Sequence, residues 1–80
     1  LALNFYLEKA SSGDKVEILV NGEKLGTYNE GQSVSLDPGD KVNLNPIPGE
    51  GSYFSFFEGM DPPKVLSANE TVKVVFKNNG

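Results

Sequence analysis

Apolar and polar residues alternate with a period of two along most of the chain. No window long enough for a helix carries apolar residues at i, i+3, i+4 and i+7. The pattern predicts an all-β fold. Leu3, Phe5 and Leu7 alternate with Asn4, Tyr6 and Glu8, and Val16, Ile18 and Val20 alternate with Glu17 and Asn21, Leu19 being the one apolar residue out of step. The same alternation recurs in Val34 and Leu36, in Val42 and Leu44, and in Val72, Val74 and Phe76, so each of these strands keeps one wet face. Ser52–Phe57 differs. Strict alternation puts Phe54 and Phe56 on one face and Tyr53 and Phe57 on the other, and neither face is polar. Such a strand is either covered on both sides, or buried on one side and part of a binding surface on the other.

Turn chemistry separates these runs. Ser11-Ser12-Gly13-Asp14 divides the first two strands. Asn21-Gly22 is the sharpest signal, because both residues tolerate positive φ and suit a type I′ turn joining Lys15–Val20 to Glu23–Tyr28. Asn29-Glu30-Gly31 leads into Gln32–Leu36, and Asp37-Pro38-Gly39-Asp40 fits a type II turn into Lys41–Asn45, which predicts a second hairpin. Prolines 46 and 48 lack ladder donors, so Pro46–Gly51 reads as a loop or a corner where the chain changes sheets. Gly59–Pro63 breaks regular structure again, before a short strand over Lys64–Ala68 and a last one over Thr71–Lys77. The expected architecture is a small antiparallel β-sandwich or barrel of about seven strands. Its core should hold Val16, Ile18, Val20, Val42, Leu44, Phe54, Phe56, Val74 and Phe76. The consecutive patterns Gly31–Pro38 and Gly39–Pro46 share Gly-x-x-Val-x-Leu-x-Pro, but two copies of one turn plus one strand do not make a repeat architecture.

Eighty residues, 38% of them hydrophobic and 22% charged, hold one core and are neither disordered in composition nor apolar enough for a membrane span. The expectation is a single β-domain over residues 1–80, taken from a larger multidomain protein. The opening Leu1–Leu7 has no basic stretch and no long apolar run, so it does not read as a secretory signal. Histidine and cysteine are absent, which removes disulfides, the commonest zinc ligands, thiol catalysis and imidazole bases. A net charge of −4 has the wrong sign for neutralising phosphates or anionic lipid heads. Neither nucleic acid nor membrane insertion is expected, and no cofactor is implied.

What chemistry remains is sparse. Asp37 with Asp40, and Glu50, Glu58 and Asp61 in loops that would share one end, are the carboxylates to consider for glycoside chemistry. Asp at turn ends is explained by bonds to backbone N–H groups, so no catalytic residue is assigned. Calcium-loop spacing is missing. An isopeptide from Lys15, Lys41 or Lys73 with Asn43 or Asn78 would need a buried lysine, and all three lysines alternate onto polar faces. Asn69-Glu70-Thr71 matches a glycosylation sequon and marks a surface turn. Tyr53 and Phe57, with Tyr28 or Tyr6 beside them, are the candidate platform on which sugar rings would stack.

From Asp40 to Lys77 the chain resembles the divergent bacterial repeat modules related to the internalin B-repeat, which occur in strings in surface proteins. Gly39–Leu44, Pro48, Tyr53, the aromatic stretch Phe54–Phe57, Gly59 and Thr71–Phe76 carry the likeness. Phe57 stands where those modules have Trp, and Pro62-Pro63 is not typical of them. Val16–Leu44 also resembles the PEGA-type surface-layer repeat, through Ile18–Gly26 and Leu36–Gly39. The shared context implied is an extracellular or cell-envelope protein built from β-modules. The expected role is a non-catalytic spacer or adhesion module whose partners are neighbouring domains of the same chain. The alternative is a carbohydrate-binding module, with a polysaccharide or another protein as partner and Tyr53, Phe57 and Tyr28 as its binding residues.

Overall fold

A computed structural model describes the whole chain, Leu1–Gly80. It contains eight strands: β1 (Ala2–Glu8), β2 (Lys15–Val20), β3 (Glu23–Tyr28), β4 (Gln32–Ser35), β5 (Lys41–Ile47), β6 (Ser52–Glu58), β7 (Lys64–Val65) and β8 (Glu70–Asn78). No helix forms. The strands make two four-stranded sheets, ordered β4-β1-β8-β6 and β3-β2-β5-β7, that enclose one core as a small β-sandwich. Every pairing is antiparallel except β1 with β8, which run parallel with six residue pairs in register, Leu3↔Glu70 through Glu8↔Val75. A parallel pair cannot be closed by a tight turn. Here the connection is everything between Glu8 and Glu70, which winds through both sheets before returning.

Four strands at about 4.8 Å spacing span less than about 20 Å. The 40 Å dimension of the 40 × 22 × 18 Å body therefore lies along the strands. β1 begins at one pole of that axis, together with the 21–22 and 37–40 turns and the segment before β8. β8 ends at the other, together with the 9–14, 29–31 and 48–51 connections.

Asn21 (φ 54°) and Gly22 (φ 83°) form the expected two-residue turn between β2 and β3. Beyond it, Ile18 pairs with Gly26 but Leu19 with Lys24, so Leu25 is the extra residue of a bulge and stands exposed. The second expected hairpin does not exist. β4 pairs with β1 in one sheet and β5 with β2 in the other, so Asp37–Asp40 is a corner between sheets. It is fixed by bonds from outside the turn: Leu36 N–H donates to Leu1 O at 2.8 Å, Gly39 N–H to Leu66 O at 2.8 Å, and Leu66 N–H to Asp40 O at 2.9 Å. The prolines are also partly reassigned. β5 runs to Ile47 and includes Pro46, opposite Val16. β7 meets β5 only at Lys41 and Val42, so the strand is an edge where Pro46 sits and no donor is missed there. Pro48–Gly51 is the sheet-changing corner.

The core gathers Leu3, Phe5, Val16, Ile18, Leu36, Val42, Leu44, Met60, Leu66, Val72, Val74 and Phe76. Val20 and Phe54 are packed against it and partly exposed. Phe56 is the exception among the expected core residues, 46% exposed on the outer face. The cause is a bulge in β6: Phe54 pairs with Phe76 and Phe56 with Val75, leaving Ser55 unpaired and shifting the later side chains by one face. Phe54 and Phe57 therefore both turn inward, their ring centres 4.6 Å apart, with Phe54 also 6.3 Å from Phe76. Phe5→Ala, at a fully buried position, is expected to cost about 3–5 kcal/mol in urea unfolding, and Phe56→Ala less than about 1 kcal/mol. Equal losses would contradict the bulge.

Candidate functional site

The most constrained polar group is Asp14, a residue with no exposed surface. Its parity with Val16 and Ile18 on β2 aims it inward, yet it lies at the pole where β8 ends and meets polar backbone there. Oδ2 accepts from the N–H groups of Ala10 and Ser11, both at 2.8 Å, and Oδ1 accepts from Gly49 N–H at 2.7 Å and from the Ser52 hydroxyl. The carboxylate thus clasps the β1–β2 connection to the β5–β6 corner. Close approach is required for this, and glycine supplies it: a Cβ on Gly49 would stand 2.7 Å from the carbonyl carbon of Gly13. Burial alone would raise the acid's pKa, but the four hydrogen bonds, led by that from Ser52, outweigh it and lower the value from 3.8 to about 2. A carboxylate this acidic, with its accepting positions filled, holds loops together and is a poor proton acceptor.

The opposite pole has a smaller, exposed counterpart. Asp40 accepts from Asp37 N–H at 2.9 Å and from the Asn21 amide at 3.0 Å, and these bonds hold its carboxyl below the usual value. Asn21 also accepts from Lys41 N–H at 2.9 Å, which ties the β2–β3 hairpin to the corner before β5. The candidate carboxylates do not share one end, because Glu50 lies in the β5–β6 corner at the pole opposite Asp37, Asp40 and Asp61. No group of three or more acidic side chains converges to hold a metal ion. Lys15 and Lys41 are exposed, and Lys73 pairs with Glu58 at 3.4 Å.

The expected aromatic platform is not assembled. Tyr53 lies on the outer face of the β4-β1-β8-β6 sheet, 45% exposed. Phe57 is turned inward by the β6 bulge, and Tyr28 is partly buried against the core with its ring 5.1 Å from Phe5. The aromatics that do share a solvent-facing surface are Tyr6, Tyr53 and Phe56. On that face Tyr6 aligns with Lys73 and Lys73 with Glu58, Val75 lies between Glu8 and Phe56, and Lys77 aligns with Tyr53. An open concavity of about 550 Å³ lies beside Tyr6, rimmed by Glu58, Asn69, Glu70, Thr71 and Lys73. Gly59 (φ 95°) allows the backbone to come close at its floor, since a Cβ there would meet Thr71 O at 2.7 Å. Tyr6 was legible as a polar-side aromatic of β1. Phe56 was hidden because nothing in Ser-Tyr-Phe-Ser-Phe-Phe marks the bulge.

Asp14→Asn places an NH₂ against backbone N–H donors whichever way the amide is turned, and a loss of about 2–4 kcal/mol is expected in denaturant unfolding. The pH dependence has a definite sign. Because the folded pKa is depressed, the stabilisation from Asp14 is fully present above pH 3.8 and is lost as pH falls through about 2. The difference in stability between the parent and Asp14→Asn should therefore be constant at neutral pH and shrink in acid; a constant difference down to pH 2 would refute the clasp.

Neither family models, curated proteins nor solved structures yield a match to this chain.

Proposed function

We propose that the chain is a non-catalytic spacer module of an extracellular or cell-envelope protein, holding neighbouring domains of the same chain apart. The observation that carries this is the placement of β1 and β8. They are adjacent and parallel, so the chain enters at one pole of the 40 Å axis and leaves at the other. Modules joined through such ends extend end to end. A module whose ends left from the same pole would fold back beside its neighbour instead. The resemblance to surface-protein repeats supports the same reading, and so does the way both polar clusters are spent on bonding loops at the poles.

A second reading rests on Tyr6, Tyr53 and Phe56, exposed on one face, with Tyr6 lining a concavity rimmed by amide, hydroxyl and carboxylate groups. That is chemistry suited to a sugar, with aromatic faces for stacking and polar groups for hydroxyls. It replaces Tyr53, Phe57 and Tyr28 as the surface to test.

Two measurements separate the readings. Small-angle scattering of two copies joined by a short linker should give a longest dimension about twice the 40 Å of one copy; a compact side-by-side pair would refute the spacer. Titration with a panel of polysaccharides, followed by Tyr fluorescence, should be flat. Saturable binding abolished by Tyr6→Ala or Tyr53→Ala, with the fold intact, would establish the sugar-binding reading in its place.

A further inference from the structure

β1 and β8 are the two central strands of their sheet, flanked by β4 and β6. Tension applied through residues 1 and 80 draws β1 toward its own pole and β8 toward the opposite one, so the strands slide past each other along their length. Ladder hydrogen bonds cross between strands, and sliding strains all of them together. A strand lifted sideways from one end gives up its bonds one at a time.

We propose that the parallel β1–β8 pair is a tension clamp, and that the module bears mechanical load along its long axis. The assignment of that load to a biological role rests on the spacer reading. The mechanics rest on the fold alone. Three features fit a clamp. Its inner side is sealed from water by Leu3, Phe5, Val72 and Val74, none with exposed surface, so a strained bond there has no water ready to replace it. Its outer side carries Val75, apolar and only 1% exposed, in register with Glu8 and Phe56; Lys77 and Glu8, 4.0 Å apart, bridge the same seam. The two handles have little slack. At the entry the Leu1 amino group donates to Leu36 O at 2.8 Å and Ala2 N–H to Asn69 Oδ1 at 2.9 Å; at the exit Asn79 N–H donates to Gly51 O at 2.9 Å.

The test pulls one protein in two directions. Ser67→Cys introduces a single thiol into a chain that has none, at an exposed position before β8 and at the same pole as Leu1. Attachment through residues 1 and 80 shears the pair; attachment through residue 1 and the new thiol peels β1 from β8. Fold and equilibrium stability are identical in both arms, so only the direction of force differs. At one loading rate, the unfolding force in the end-to-end direction should be at least about twice that in the peeling direction. Equal forces, or a weaker end-to-end direction, overturn the clamp. The outcome is separable from the spacer reading. Equal forces with an extended tandem remove the clamp and keep the spacer. A high ratio with a compact tandem does the reverse.

Discussion

The parallel pairing of β1 with β8 is the constraint on which the other features depend. It brings the first and last strands of the chain into the middle of one sheet, with Leu3 opposite Glu70 and Glu8 opposite Val75. Once both run the same way, no short turn can join them, and the connection that does so crosses between the sheets repeatedly. That connection places β4 and β5 in different sheets and makes the turns at 37–40 and 48–51 corners. The two poles acquire different contents for the same reason, one holding the start of the chain and the other its end.

A domain this small buries a limited core, here twelve residues, and lacks disulfides. Its corners are instead fixed by short polar side chains that bond backbone groups. Asp14 does so at one pole and Asn21 with Asp40 at the other. The two sites differ in environment. Asp14 itself is enclosed and its four donors are buried or partly buried, so removing one acceptor leaves donors that water replaces poorly. Asp40 works in solvent, where water competes for the same donors.

Asp14, Asp40, Glu58 and Lys73 thus have structural partners, and the largest aromatic surface exposed to solvent is the outer face of the β4-β1-β8-β6 sheet. There Tyr6, Phe56 and Tyr53 stand among the ion pairs Lys73–Glu58 and Lys77–Glu8. This face and the shape of the body suit different functions, a stacking surface in one case and an axial strut in the other. The axial arrangement involves the two central strands and both poles, whereas the aromatic face involves one side of one sheet. The strut reading therefore accounts for more of the fold.

The sequence by itself determined what is local. Period-two alternation set the strands and the inward residues of β1, β2, β5 and β8, because neighbouring Cβ atoms on a strand must point to opposite faces. Asn21-Gly22 set its hairpin because both residues accept the positive φ that a type I′ two-residue loop needs. The tertiary structure decided what is pairwise. An alternating strand can join either sheet with the same face inward, so the partners of β4 and β5 and the parallel direction of β1 and β8 were not legible. Alternation also fails silently at a bulge: the unpaired Ser55 moved Phe57 inward and Phe56 outward, and no residue in β6 announces it. Asp14 shows the same limit. Its inward parity with Val16 could be read along the chain, but its partners Gly49 and Ser52 lie 35 and 38 residues away and become neighbours only when the sheets close.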